Sequence, residues 1–154
     1  MKSISAIAIC SLRILTIFIC VAFVSSRTNA QKTFNETLDI HLNAILNADL
    51  NKFEPTVSDS IIHISPTGEK NQSKPQFIKL HQDWFKKTNW KWEGTILEKH
   101  STSSLGYALI DYSYIEKDRA GNMLFKIKCY LTLIFKRSDK GWQLVYDQNT
   151  IIPN

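Results

Sequence analysis

The chain has 154 residues, 44% of them hydrophobic, and carries 19 lysines and arginines against 14 aspartates and glutamates. Three basic residues and no acidic ones lie in the first 30 positions, so the remainder has 16 basic against 14 acidic residues and its net charge falls from +5 to +2. A charge this balanced argues against a nucleic-acid partner, and the length suits one domain with its own hydrophobic core.

The first 30 residues have the parts of a secretory signal peptide. A basic start precedes an apolar run over residues 14–24, and Thr28-Asn29-Ala30 has a small residue at each end. We therefore expect cleavage near Ala30, export to the periplasm or the medium, and a mature domain over residues 31–154 that makes no membrane contact. The alternative is an uncleaved anchor, but the apolar run is shorter than the roughly 20 residues that span a bilayer.

Cysteine usage agrees with a single exported domain that has no disulfide framework. Two of the three cysteines, Cys10 and Cys20, lie in the predicted signal peptide, which leaves Cys129 alone. Because its neighbours are apolar, we expect Cys129 to be a buried, unreactive thiol.

Two helices are predicted before the middle of the chain. Residues 33–36, Thr-Phe-Asn-Glu, have the form of a capping box, and apolar residues at helical spacing follow as far as Asp49 to Phe53. Residues 73–76, Ser-Lys-Pro-Gln, offer a second capping box, and apolar residues continue at helical spacing to Phe85.

Strands account for most of the remainder. Residues 59–65 form a short β-branched run, and from residue 90 onward the hydrophobic pattern has a period of two. This pattern predicts four long strands over residues 90–100, 107–117, 123–137 and 142–151, joined by short turns into an antiparallel meander. The expected class is α+β, with the helices covering one face of the sheet.

Three stretches in this order carry a resemblance to a known superfamily. They are AILNADLNKF at 44–53, DSIIHISPTG at 59–68 and DKGWQLVYDQ at 139–148. Together they resemble the nuclear transport factor 2-like (NTF2-like, cystatin-like) superfamily, and most of all its SnoaL-like and DUF4440 groups. The resemblance implies a curved antiparallel sheet wrapped around N-terminal helices as a cone with an apolar cavity, and frequent homodimers through the sheet. Since the superfamily includes isomerases, cyclases, hydrolases, scaffolds and binders, it implies no single activity.

The end of the last strand supplies the first candidate ligand-binding residues. Trp142, Tyr146 and Gln148 share one phase of the strand, and their apolar bodies and polar tips suit a pocket wall. The opposite phase would instead direct Asp147 and Asn149 inward. Related sequences often have His where this chain has Gln148, and a carboxamide cannot exchange a proton near neutral pH.

Three further residues complete the candidate site. Tyr112 on the second long strand and His63 on the short strand are predicted to bind ligand, although a structural role for His63 is the alternative. His63 and Asp111 are the candidates for acid–base catalysis, and Asp111 could equally face solvent.

The remaining histidines suggest no catalytic or metal centre. His81 lies in the apolar stripe of the second helix, while His41 and His100 are expected at the surface. No spacing typical of metal ligands occurs, so we predict neither a metal nor a cofactor.

Three functions therefore compete. The leading hypothesis is an exported domain that binds a small, largely apolar molecule in its cone. The second is an isomerase or hydrolase that uses His63 or Asp111. The third is an interaction module whose apolar sheet face, to which Tyr112, Tyr130 and Ile134 could contribute, forms a homodimer or holds a partner chain.

Overall fold

The computed structural model describes residues 32–153, so the predicted signal peptide lies outside the described residues. Within that range, no helix is both long enough and apolar enough to cross a bilayer. The elements in chain order are α1 (Phe34–Leu46), α2 (Leu50–Phe53), a 3-10 turn (Glu54–Thr56), β1 (Val57–Ile64), β2 (Lys70–Asn71), α3 (Lys74–Phe85), β3 (Trp90–Ser101), β4 (Leu105–Lys117), β5 (Met123–Ser138) and β6 (Gly141–Ile151).

The predicted capping box begins α1. The Thr33 hydroxyl accepts from the Glu36 backbone N–H at 3.2 Å, and the Glu36 carboxylate accepts from the Thr33 backbone N–H at 2.7 Å. The helix ends earlier than the pattern predicts because Ala48 has a φ of 51°, which interrupts the helical backbone. Asp49 then caps the short helix α2 by accepting from the Lys52 backbone N–H at 3.1 Å.

The second capping box is not formed, although its helix is present. The Ser73 side chain makes no capping hydrogen bond to α3, which begins with Pro75 in its first turn.

The six strands form one mixed sheet in the order β2-β1-β6-β5-β4-β3. The predicted antiparallel meander is confirmed for β3 to β6. The short strand β1 adds to it in parallel beside β6, so the sheet is not antiparallel throughout. The α+β class is confirmed.

A β-bulge in β6 decides which residues of that strand face the helices. Phe135 pairs with Leu144 and Ile134 pairs with Tyr146, so Val145 is an extra residue on β6. An extra residue shifts the alternation of side chains by one position. Leu144 therefore faces inward before the bulge, and Asp147 faces inward after it.

The core lies between the helices and the inner face of the sheet. The largest fully buried side chains include Phe53, Phe77 and Phe135, and Cys129 is buried as predicted. The expectation that His41 lies at the surface is wrong, because it is fully buried on the inward side of α1. Its Nδ1–H donates to the Thr56 hydroxyl at 2.7 Å, since that hydroxyl gives its own proton to the Phe53 carbonyl. His100 is exposed, as expected.

Candidate functional site

A cavity of about 400 Å³ lies between α3 and the inner face of the sheet. Its volume falls within the range of roughly 300–1,000 Å³ that is typical of small-molecule sites. Aromatic and aliphatic side chains dominate its wall, and a few polar groups converge on it. The residues that line it include His63, Ser65, Thr67, His81, Trp84, Lys87, Trp92, Tyr112, Tyr114, Glu116, Phe125, Ile127, Asp147 and Asn149.

Asp147 supplies a buried carboxyl group to the cavity wall. The bulge in β6 turns it inward, where only 6% of its surface is exposed, and it lies in register with His63 on β1 and Leu133 on β5. Burial raises the pKa of Asp147 to about 7, although a hydrogen bond from Asn149 favours the charged form. The group can therefore gain or lose a proton near neutral pH.

Asn149 connects this carboxyl group to Tyr112. The amide NH₂ of Asn149 donates to Asp147 Oδ1 at 2.8 Å and to the Ile64 carbonyl at 3.1 Å. The Tyr112 hydroxyl donates to Asn149 Oδ1 at 2.8 Å. Burial raises the pKa of Tyr112, so its hydroxyl stays protonated. This network fixes the direction of every hydrogen bond among the three side chains.

Two histidines line the same cavity in the neutral form. The Nδ1–H of His81 donates to the Phe77 carbonyl at 2.9 Å, so Nε2 carries the lone pair. Burial lowers the pKa of His81 to about 4 and also lowers the pKa of His63. His63 is 7% exposed and its ring packs 5.1 Å from the Phe77 ring, and that imidazole makes no hydrogen bond with the described part of the chain. Either of its ring nitrogens can therefore meet a ligand.

Aromatic rings form the rest of the wall. Trp92 stacks on Tyr112 with ring centroids 5.6 Å apart, and Tyr114 lies 6.2 Å from Phe125. The Tyr114 hydroxyl donates to Glu116. Lys87 pairs with the same carboxylate at 2.7 Å, which places these charges near solvent. The site is an apolar cavity with a polar inner wall and a charged edge.

The predicted ligand-binding residues separate into two groups. Tyr112 and His63 line the cavity, and their binding of a ligand stays a prediction. The expectation that Trp142, Tyr146 and Gln148 form one inward row is wrong, because the bulge reverses the phase between them. The Trp142 ring packs 5.6 Å from the Phe34 ring beneath α1. The Tyr146 hydroxyl donates to Gln148 Oε1 over 2.6 Å, and neither residue lines the cavity.

The candidate base Asp111 lies on the other face of the sheet. It alternates with the inward-facing Tyr112 on β4, and its carboxylate is 3.1 Å from Lys128 Nζ on β5. The cavity carboxyl group is Asp147 instead. Its only sequence signal is a pair of polar residues, Asp147 and Asn149, in the opposite phase of the last strand.

Several solved structures share this fold. An NTF2-like superfamily protein from Salmonella enterica has a TM-score of 0.61 and 16% identity, over 77% of this chain and 88% of that one. A ketosteroid isomerase-like protein from Erwinia carotovora atroseptica has a TM-score of 0.63 and 15% identity, over 78% and 94%. An LEH-like epoxide hydrolase from M. tuberculosis has a TM-score of 0.58 and 10% identity, over 76% and 80%. The predicted NTF2-like fold is confirmed. Sequence identities this low show a shared fold and no shared activity.

A search of curated proteins finds no match for this chain. A family model described as a SnoaL-like domain matches residues 34–152, which is nearly the whole of the described range. The six-stranded cone, its inner cavity and this match agree, and the chain belongs to the SnoaL-like domain family.

Proposed function

We propose that the protein binds a small, largely apolar molecule in its cone. The cavity of about 400 Å³ between α3 and the sheet carries this proposal, because its aromatic wall encloses a few converging polar groups. Trp92 and Tyr112 offer apolar surface, while Asp147 and Asn149 offer a place to orient a polar substituent.

The proposal is tested by titrating the protein with N-phenyl-1-naphthylamine, which fluoresces when it enters an apolar site. Ile127→Trp, on the cavity wall, should weaken binding about tenfold or more, because an indole fills space that the probe needs. Ile115→Trp is the matched control, since Ile115 lies on β4 among side chains that point away from the cavity. Equal binding by the two variants would contradict a site inside the cone.

The second candidate function is proton transfer of the isomerase or hydrolase type. It is favoured by the buried carboxyl group of Asp147 beside neutral His63, both facing the cavity. A general base works best when its pKa lies near the working pH, and Asp147 meets this condition at about 7. Asp147 thus takes the role that the sequence suggested for Asp111.

This activity would be sought with β,γ-unsaturated cyclic ketones and with aryl epoxides. Asp147→Asn should abolish any turnover that is found, whereas Asp111→Asn on the outer face should preserve it. Turnover that survives Asp147→Asn would remove this residue from the mechanism and leave binding as the supported function.

Export and the finer family type remain predictions. The basic start, the apolar run and the small-residue site support cleavage near Ala30, and the resemblance to the DUF4440 group rests on the three sequence stretches alone. Expression with residues 1–30 attached, followed by mass spectrometry of the exported protein, should give a chain that begins at Gln31. An intact N-terminus would contradict export by this signal.

A homodimer through the outer face of the sheet is supported by its composition. Tyr107, Ile134 and Tyr146 are neighbours across three strands. Tyr130, four residues from Ile134 on the same face of β5, is 41% exposed. Sedimentation should find a dimer that Ile134→Glu dissociates, because the new carboxylate would be buried without a partner. A monomer at high protein concentration would contradict this proposal.

A further inference from the structure

Most hydrogen-bond donors at the inner wall of the cavity already have partners. The hydroxyl proton of Tyr112 is given to Asn149. The amide NH₂ of Asn149 donates one hydrogen bond to Asp147 Oδ1 and one to the Ile64 carbonyl. The N–H of His81 is given to the Phe77 carbonyl. None of these groups has a proton left for a ligand.

When Asp147 is ionised, most of the groups that remain at this wall are acceptors. Asp147 Oδ2 has no hydrogen bond among the described residues, and His81 Nε2 carries a lone pair. The Tyr112 oxygen also keeps a lone pair after donating its proton. The neutral His63 ring has one N–H and one lone pair without partners among the described residues, so it can offer a ligand one donor and one acceptor.

Other lining residues also carry donors. The hydroxyls of Ser65 and Thr67 share one hydrogen bond at 2.8 Å, which leaves one of their two protons without a partner in that pair. The Trp84 indole N–H is fully buried and offers no surface to a ligand. Lys87 Nζ and the Tyr114 hydroxyl are engaged with Glu116 at the charged edge.

A ligand oxygen that only accepts would find no free donor on Tyr112, Asn149 or His81. It would also leave the ionised Asp147 Oδ2 without a partner, which is costly in a buried site.

The apolar part of the wall selects the rest of the molecule. Trp92, Tyr112, Tyr114 and Phe125 present aromatic surface to the cavity, and flat rings pack well against such surface. A rigid aromatic ring also loses little conformational freedom on binding.

We infer that the ligand is a hydroxylated aromatic molecule whose O–H group donates a hydrogen bond to Asp147 at the inner wall of the cavity. This inference rests on the proposed binding function and narrows the class of ligand. Molecules whose only polar group is a carbonyl or an ether are disfavoured, since they cannot donate a hydrogen bond to the ionised Asp147 carboxylate.

Isothermal titration calorimetry with three naphthalenes tests this directly. At about pH 8 the Asp147 carboxyl is ionised, and 2-naphthol should bind about tenfold or more tightly than 2-methoxynaphthalene. The ether has nearly the same shape but no proton to donate. Naphthalene itself should bind no better than the ether. Equal affinity of 2-naphthol and its ether would overturn this inference and leave the proposed binding function standing. Failure of all three compounds to bind would overturn both.

The variant Asp147→Asn provides a reversal test. Asn149 continues to donate to Oδ1 of residue 147, so the new NH₂ group is directed toward the cavity. The advantage of 2-naphthol over its ether should shrink, and 2-acetylnaphthalene, which accepts only, should gain affinity. Asp111→Asn makes the same change on the outer face and should leave all affinities unchanged. An undiminished preference for 2-naphthol in Asp147→Asn would overturn the assignment to Asp147.

Discussion

Replacement of Asp147 with Asn should change how the stability of the protein depends on pH. The pKa of this carboxyl group is raised from its ordinary value of 3.8 to about 7, because burial penalises the charge. The native state therefore holds the proton more tightly than the unfolded state does. Its contribution to the free energy of unfolding is full below about pH 4, falls as the pH rises toward 7, and is constant above.

The size of the effect follows from the shift. Each pKa unit corresponds to about 1.4 kcal/mol, so the two units between about pH 5 and about pH 7 correspond to about 3 kcal/mol. The asparagine variant has no carboxyl proton to lose. It should gain about this much stability relative to the wild type across that interval.

The buried histidines change the free energy of unfolding in the opposite direction over an overlapping pH range. Burial lowers the pKa of His41 to about 3 and that of His81 to about 4. As the pH falls, these histidines are therefore protonated in the unfolded state before they are protonated in the native state. Their contribution is present above about pH 6.5 and is lost as the pH falls toward those values. The wild-type curve alone would mix both effects, whereas the difference between wild type and variant isolates Asp147.

The assay is urea unfolding of both proteins at several values between about pH 5 and about pH 8. The wild-type free energy of unfolding should fall by about 3 kcal/mol relative to the variant over that range. A difference that stays constant with pH would mean that Asp147 ionises at its ordinary pKa in the folded protein, contrary to this prediction.

Two further changes test how local structure supports the fold and the cavity. Thr33→Ala removes the side-chain cap of α1 and should lower the free energy of unfolding by about 1 kcal/mol, measured by urea unfolding; no change would mean that the cap contributes nothing. Gly94→Ala places a Cβ within 2.2 Å of the Trp92 ring, so the ring must move and N-phenyl-1-naphthylamine should bind more weakly. Thr95→Ala, at the next and exposed position of β3, is the control, and equal binding by both variants would contradict a role for Trp92 in the wall.

The fold could be predicted because its signals are local and agree with one another. The capping box at Thr33 and Glu36 begins α1, and four runs of period two become four neighbouring strands. The parallel pairing of β1 with β6 was not expected, because these strands are far apart in sequence and no local pattern records which strands pair.

The site could be predicted only in part, and one residue explains why. Periodicity assumes a regular strand, and Val145 breaks that regularity by adding a residue where β6 passes β5. The bulge has no glycine or other local signal in the sequence. Asp147 therefore replaces Tyr146 and Gln148 on the inner face, while Tyr112 and His63, on other strands, line the cavity.

The prediction that His41 lies at the surface fails for a related reason. Residue type suggested the surface, but its position in α1 puts it on the same face as Phe34, Leu38 and Ile45. A neutral histidine can be buried when its N–H has a partner, and Thr56 provides one fifteen residues away. Spacing predicts the face of a helix, but it cannot supply the partner that makes burial of a polar ring tolerable.

The central claim is that the cone holds a small aromatic molecule against Asp147. An experimental structure of the protein with 2-naphthol would test it most directly. We expect a ring between α3 and the sheet, packed on Trp92, with its hydroxyl within hydrogen-bond distance of Asp147 Oδ2. A cone filled by its own side chains, or a naphthol bound only outside it, would rule out this mode of binding.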